Sequence, residues 1–315
     1  MAGAWSDPSA SPLPVEMPVF GQYNSRCYGI PLMMDILDRH NLRATFFTEV
    51  FCSYVLGEDA VAKVLNCIRD RGHDAQLHLH PTYRFYHAYQ NGRGPRRLVD
   101  LIYQLPEDEQ RELIADGIRL FRELSGCSPV AYRAGCYGAS ELTLAALKEN
   151  GIRIDSSYNL AYLGSSCGFS TPGLNSPRMI EGVYELPVTV FRVPGTAGYK
   201  PLEISAVSVS EIVKTLEVLS KAGCSDAVLV LHSFSFLKNH GRDFKTSRPD
   251  RIVIRRFEAL CAALVEMGET VLVTPLSELD FSNTTLQESD VIPSVNWRQA
   301  GVRKLIQAIN RSPWL

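Results

Sequence analysis

The stretch GHDAQLHLHP, residues 72–81, contains three of the seven histidines of the chain. Side chains two apart in a strand point the same way, so His78 and His80 share one face while the leucines beside them face an apolar layer. Two neutral imidazoles at a strand end can form half of a metal site that needs a carboxylate and water. The alternative is two histidines that are hydrogen-bonded at a strand end, and His73 is interpreted as structural.

Two other strand ends carry residues that could do chemistry. In YRAGCYG, residues 132–138, Arg133 precedes a glycine-containing turn that leads towards a helix. Backbone N–H groups at such a turn can stabilise an oxyanion, and the arginine can bind a carboxylate. In VLVLHSFSF, residues 228–236, an apolar strand is predicted to end at His232, which could act as a general acid or be a buried structural histidine. Cys136 has no neighbouring base that would mark it as a nucleophile.

Carboxylates also follow two short predicted strands. Asp155 in IDSSYN could orient His232 or cap the next turn, and Glu185 in YELPV could do the same, with less support.

Strand-like and helix-like segments alternate with short connections from residue 28 to residue 276. The strands include DAVLVLHSFSF (226–236) and TVLVTPL (270–276), and the last helix is VNWRQAGVRKLIQAINR. This alternation favours an α/β protein with parallel strands wrapped by helices in a barrel-like arrangement.

Composition narrows the function further. The chain has 315 residues, 45% hydrophobic and 21% charged, with a formal net charge of -2, which predicts neither nucleic-acid binding nor a basic membrane-binding face. No apolar run approaches a membrane span, and the first residues lack the features of a signal peptide. The eight cysteines lie far apart without a Cys-x-x-Cys pair, which favours reduced thiols and a cytoplasmic protein. The oligomeric state is left open.

The order ATFF, GHDAQLHLHP, YRAGCYG, DSSYN, ELPV and LHSFS resembles the polysaccharide deacetylase family, also called the NodB-homology domain or carbohydrate esterase family 4. The resemblance covers residues 28–276. It implies a distorted (β/α)7 barrel and a divalent metal, usually zinc, held by an aspartate and two histidines. By position, His78 and His80 match the metal histidines, although their spacing is shorter than the common His-x-x-x-His of the family.

The same resemblance implies roles for the other site residues. Arg133 matches the arginine that holds the catalytic aspartate, and Asp155 matches the aspartate that tunes the acid, His232. The N–H of Cys136 or Tyr137 would be the oxyanion donor, because the turn departs from the usual Arg-Pro-Pro-Tyr. The implied reaction is metal-assisted attack of water on an N-acyl carbonyl.

The paired acids of the family's first strand have no match here. The nearest residues are Pro14, Val15 and Glu16, so Glu16 is predicted as the third metal ligand and proline stands where the base should be. Either the first strand lies upstream of this chain, or the protein has lost catalysis and kept its binding shell; Asp7 is a remote replacement. We predict an irregular segment at 1–27, a barrel at 28–280 with its first strand missing or altered, and a tail at 281–315.

Three functions follow from these expectations. The first is a metal-dependent amidohydrolase that deacetylates an N-acetylated sugar or polysaccharide intermediate. The second is a catalytically silent member that binds a carbohydrate or a partner through the same cleft. The third is deacylation of a non-sugar amide or cyclic ureide.

Overall fold

The computed structural model describes residues 13–86, 88, 91–93, 99–238, 244, 247–279 and 290–310. Short strands alternate with longer helices along most of this length. The strands are β1 (Gln22–Tyr23), β2 (Arg26–Cys27), β3 (Thr45–Glu49), β4 (Asp74–Leu79), β5 (Ala131–Ala134), β6 (Ile154–Asp155), β7 (Arg178–Ile180), β8 (Val183–Glu185), β9 (Val190–Arg192), β10 (Tyr199–Pro201), β11 (Leu237–Lys238) and β12 (Arg248–Pro249).

The main sheet has six strands in the order β3-β4-β5-β6-β8-β7. The first five of these run parallel, and β7 pairs antiparallel with β8 at one edge. In the register, His78 lies beside Glu49 on one side and Arg133 on the other. Parallel strands therefore bring their carboxyl-terminal residues to one edge of the sheet, where sites of α/β proteins are built.

Nine α-helices complete the described part of the chain. They are α1 (Ile30–Arg39), α2 (Ser53–Leu56), α3 (Glu58–Arg69), α4 (Pro81–Arg84), α5 (Glu107–Ser125), α6 (Glu141–Glu149), α7 (Val209–Lys221), α8 (Arg251–Glu266) and α9 (Trp297–Asn310). Ser140 and Ser208 begin α6 and α7 with capping boxes, which satisfy free N–H groups of the first turn. Gly126 ends α5 at φ +70°, a conformation that glycine adopts without a steric penalty.

The apolar layer between strands and helices positions the strand ends. Leu77 and Leu79 of β4 are fully buried against helices, whereas His78 between them is only half-buried on the opposite face. The alternation that predicted this arrangement is therefore seen in the structure. The α/β class with parallel strands wrapped by helices is confirmed.

Two segments that were predicted as strands do not form strands in the structure, so these two predictions are wrong. In residues 226–236 only Val228 and Val230 form isolated parallel bridges, and residues 271–275 have no strand pairing. Both segments have the β-branched composition of buried strands, but a strand also needs a backbone partner on its edges. A cavity lies along both segments, and the described strands do not close into a barrel.

Before α1, the described chain forms turns and the small β1–β2 hairpin, with no strand of the main sheet. Met17 N donates to Pro14 O at 3.1 Å and Val19 N donates to Val15 O at 3.0 Å. Prolines lack the N–H that a ladder needs, which favours this turn over a strand. Among the described residues, no helix is long and apolar enough to cross a membrane.

Candidate active site

A cavity of about 1050 Å³ opens at the carboxyl-terminal edge of the sheet. Six of the residues predicted for the site line it. They are His78, His80, Arg133, Cys136, Tyr137 and His232. The tertiary structure thus brings together residues that are separated by as much as half of the chain.

His78 is held in a defined orientation by the main chain. Its Nδ1 lies 2.6 Å from the carbonyl oxygen of Arg133, so Nδ1–H is the donor and the other ring nitrogen, Nε2, has no hydrogen-bond partner among the described residues. Burial, and then the neighbouring His80, hold the pKa of His78 well below its usual value. The imidazole is therefore neutral near pH 7, the form that binds a metal.

His80 is held in the same way by a carboxylate. Its Nδ1 lies 3.0 Å from both oxygens of Asp100, and Thr82 Oγ1 donates to the same carboxylate at 3.0 Å. The backbone N–H of His80 donates to the buried carboxyl group of Glu49. A Cβ at position 135 would collide with the His80 ring, so glycine is required there. A histidine whose Nδ1–H is bonded to a carboxylate is the usual partner arrangement of metal-binding imidazoles.

Asp100 also approaches a thiol. One donor atom each from His80, Asp100 and Cys136 lie within 4.8 Å of one another, and Cys136 Sγ is 3.6 Å from Asp100 Oδ2. Burial disfavours the Asp100 charge, but His80, Thr82 and Cys136 outweigh it and hold the pKa of this carboxyl below its usual value. Nitrogen, oxygen and sulfur donors together fit zinc. Asp100 was missed in the sequence because it follows a variable loop with no periodic pattern.

The turn after β5 is strained. Cys136 and Tyr137 have φ of +54° and +61°, in the left-handed region that residues with a Cβ rarely adopt. Such conformations occur at functional sites because the surroundings impose them. Burial, and then Asp100, raise the pKa of the Cys136 thiol to about 11, so it is protonated at neutral pH and is a poor nucleophile.

His232 has a different carboxylate partner from the expected one. Its Nδ1 lies 3.7 Å from Glu203 Oε1, its ring stacks on Phe234 at 5.1 Å, and 49% of its side chain is exposed. The nearby His232 is the main cause that lowers the pKa of Glu203. Glu203 was missed because it follows a proline-containing strand, far from His232 in sequence.

The contacts of Asp155 and Arg133 differ from those that the resemblance implies. Asp155 is fully buried, accepts from Ser157, and has the carboxyl group of Glu185 as its neighbour. Arg133 donates to Ser156 through Nε and Nη2, at 2.8 and 2.7 Å, and its guanidinium lies over the ring of Phe47. In the described residues the hydrogen-bond acceptors of Arg133 are thus oxygens of Ser156, the residue after β6, rather than a carboxylate.

Glu16 is not brought to this site. Its carboxylate is 2.9 Å from Lys63 Nζ, 40% of its side chain is exposed, and it is not one of the described residues that line the cavity. The reason is that Glu16 lies in the turn of residues 14–19 rather than at the end of a parallel strand. Asp7, the remote candidate, lies outside the described residues.

No family model and no curated protein matches this chain. Solved structures do match. The chain is similar to polysaccharide deacetylases. One structure, classed as a polysaccharide deacetylase from Mycobacterium smegmatis, has 19% identity and a TM-score of 0.49 over 91% of this chain and 79% of its own. A peptidoglycan N-acetylglucosamine deacetylase has 15% identity and a TM-score of 0.41 over 78% of both chains. An allantoinase has 14% identity and a TM-score of 0.48 over 80% of this chain and 70% of its own.

Proposed function

We propose that this chain is a metal-dependent hydrolase that removes the acyl group from an N-acetylated sugar. The observation that carries the proposal is the paired arrangement of His78 and His80. Each imidazole has its Nδ1–H bonded to a carbonyl or carboxylate oxygen, and each leaves Nε2 without a partner among the described residues, at the mouth of one cavity. Two imidazoles oriented in this way are typical of a metal site.

His78 and His80 would hold the metal through their Nε2 atoms, since Nδ1 of each ring is already hydrogen-bonded. When bound, a divalent ion such as Zn²⁺ supplies an acidified water and polarises an amide carbonyl. Glu49 holds the backbone of His80 in place, and burial raises the pKa of its carboxyl group well above its usual value. Asp100 and the carbonyl of Arg133 keep the two rings in the tautomer with Nε2 free.

His232 would act as the general acid. The Glu203 carboxylate lies 3.7 Å from its Nδ1, and the imidazole would give a proton to the amine nitrogen as the C–N bond breaks. The backbone turn of Cys136 and Tyr137 would face the acyl oxygen. Tyr137 and Phe234 both line the cavity, so aromatic rings are available to contact a sugar ring.

A catalytically silent binding protein is the second candidate. It is favoured by one observation: in the described residues, no strand ahead of α1 carries a pair of carboxylates that could serve as the general base. The cavity, its aromatic rings and its histidines would then bind a carbohydrate without hydrolysing it.

One experiment on the full chain distinguishes the two candidate functions. Zinc content is measured after equilibration with Zn²⁺. Amine release is measured with an N-acetylglucosamine oligomer, and ring opening to the ureido acid is measured with a cyclic ureide. We expect about one zinc per chain and release from the oligomer, with zinc lost in His78→Ala and His80→Ala. His40→Ala is the control, since His40 ends α1 through its backbone.

Glu203→Gln tests the acid. We expect it to retain zinc and to lower kcat by about 100-fold, the order contributed by a general acid. Zinc binding without hydrolysis of any substrate would establish the silent protein. Hydrolysis of the ureide alone would move the substrate class away from sugars. Absence of zinc together with unchanged behaviour of His78→Ala would contradict the proposal.

A further inference from the structure

The cavity continues beyond the histidines into the apolar interior. On one side it is lined by β3, from Thr45 to Glu49, and on the other by residues 227–231 and 270–274. Most of these side chains are aliphatic or aromatic, and α1 contributes Ile30, Met33 and Leu37 to the wall. The cavity therefore separates segments that have the composition of neighbouring strands.

The main chain along this cavity is incompletely paired. Val230 N donates to Leu202 O at 3.0 Å, Ile204 N donates to Val230 O at 3.0 Å, and Thr189 N donates to Val228 O at 3.2 Å. Because backbone groups alternate between the two edges of an extended segment, those of residues 227, 229 and 231 face the other edge. Within the described chain they have no backbone partner, and β3 pairs with β4 alone.

The connectivity places a strand at the same position. Helices α3, α5 and α6 each connect two parallel strands that are neighbours in the sheet. Helix α1 leads into β3 and packs on the cavity, yet the described residues ahead of it contribute no strand to the main sheet. A repeated strand-helix-strand unit puts the missing strand parallel to β3, on its free edge.

The cavity has room for such a strand. A strand residue occupies about 160 Å³, from its rise, the spacing between strands and the distance between packed layers. A volume of about 1050 Å³, which includes the space beside the histidines, therefore holds a segment of at most about six residues. The first twelve residues, MAGAWSDPSASP, include two prolines and no β-branched residue, so they lack the composition of this strand.

We propose that this cavity is a receptor for one extended peptide strand of apolar, β-branched residues, which adds parallel to β3. The strand would bond to the free edges of β3 and of residues 227–231, and its side chains would fill the apolar interior. Main-chain bonds of this kind are the basis of peptide recognition by strand addition. The peptide would occupy the apolar part of the same cavity, beyond the histidines, and the inference does not rest on the proposed hydrolysis.

Hydrogen exchange of the full chain tests the proposal. The probe is a synthetic peptide, Lys-Lys-Val-Ile-Val-Thr-Val-Val, with blocked ends. We expect saturable protection, at least tenfold, of amides in residues 44–49 and 227–231. Amides of β5, which is paired on both edges, are the internal reference and should not change. Equal exchange with and without peptide in both segments would overturn the proposal.

Three controls define what binds. A peptide with the same side chains but N-methylated at every residue cannot donate a ladder hydrogen bond on either edge, and we expect no protection from it. Equal protection by this peptide would show that the cavity takes any apolar ligand, which contradicts a strand receptor. Protection that appears without peptide as the protein concentration rises would assign the cavity to a second copy of the chain. Deletion of residues 1–12 should leave the free-state exchange of residues 44–49 unchanged; faster exchange would show that these residues already fill the cavity.

Discussion

Two carboxyl groups lie side by side in the interior behind the site. Asp155 and Glu185 are both fully buried; Asp155 accepts from Ser157 Oγ at 2.7 Å, and Glu185 Oε1 accepts from Tyr158 N at 2.9 Å. Burial, and then the charge of Asp155, raise the pKa of Glu185 well above its usual value. Glu185 therefore keeps its proton in the folded protein at pH values where it is ionised in the unfolded chain.

This pair predicts a pH dependence of stability. The favourable contribution of Glu185 is fully present below its unfolded pKa of about 4.3 and is lost as the pH rises towards its raised folded pKa. Glu185→Gln keeps an acceptor for Tyr158 N and removes the titration. We expect the stability of Glu185→Gln relative to the wild type to increase with pH above about 4.5, by up to about 1.4 kcal/mol per pH unit.

Urea unfolding at pH 5, 6 and 7 measures this difference. Glu181→Gln is the control, because Glu181 is exposed on the turn between β7 and β8. Parallel pH curves for the wild type and Glu185→Gln would show that Glu185 is ionised in the folded protein.

At the scale of elements, the approach of α5 to β4 depends on one glycine. Gly117 is buried within α5, and a Cβ there would lie 2.6 and 2.8 Å from the two terminal carbons of Leu79, which is itself fully buried. Leu79 immediately precedes His80, so this contact sets how close the helix lies to the strand that carries both histidines.

Replacement of this glycine should therefore destabilise the protein. Alanine usually stabilises a helix relative to glycine, but at Gly117 it overpacks the contact with Leu79. We expect Gly117→Ala to lower the free energy of unfolding by about 1–3 kcal/mol. Gly301→Ala in α9 is the matched control: nothing lies near its Cβ position, and we expect an increase of about 0.5–1 kcal/mol. An increase in both variants, measured by urea unfolding, would exclude tight packing at Gly117.

At the scale of the whole molecule, the last helix, α9, is joined to the rest of the domain by polar contacts. Arg303 of α9 lies 2.9 Å from Glu211 of α7, and their side chains are only 8% and 0% exposed. Asn310 Nδ2 donates to Asp250, the N-cap of α8, at 2.7 Å. Buried contacts to two other helices indicate that α9 unfolds together with the domain, whereas the sequence predicted a tail from residue 281.

Removal of the arginine tests this coupling. Arg303→Ala leaves the Glu211 carboxylate buried and without its cation, which costs about 3–5 kcal/mol. We expect the single unfolding transition to shift to lower urea by that amount, while Arg298→Ala, at an exposed position of α9, leaves it unchanged. An unchanged main transition, with protease cleavage ahead of α9, would instead support the predicted boundary of the tail.

The sequence by itself determined the features that depend on local geometry. The period of a strand put His78 and His80 on one face, because side chains alternate along an extended chain. The predicted alternation of helix-like and strand-like segments is seen in α1, α3, α5, α6, α7 and α8, because a helix makes its hydrogen bonds within itself.

Only the tertiary structure decided which groups meet. Asp100 reaches His80, and Glu203 reaches His232, across segments whose folding no local period encodes. Residues 226–236 and 270–276 both have strand composition. The first segment pairs only through isolated bridges at Val228 and Val230 and residues 271–275 have no strand pairing, because pairing depends on a neighbour elsewhere in the molecule. The composition of a segment is fixed by its own residues. Strand pairing and the geometry of a metal site depend on residues that are distant in sequence, so the folded structure alone determines them.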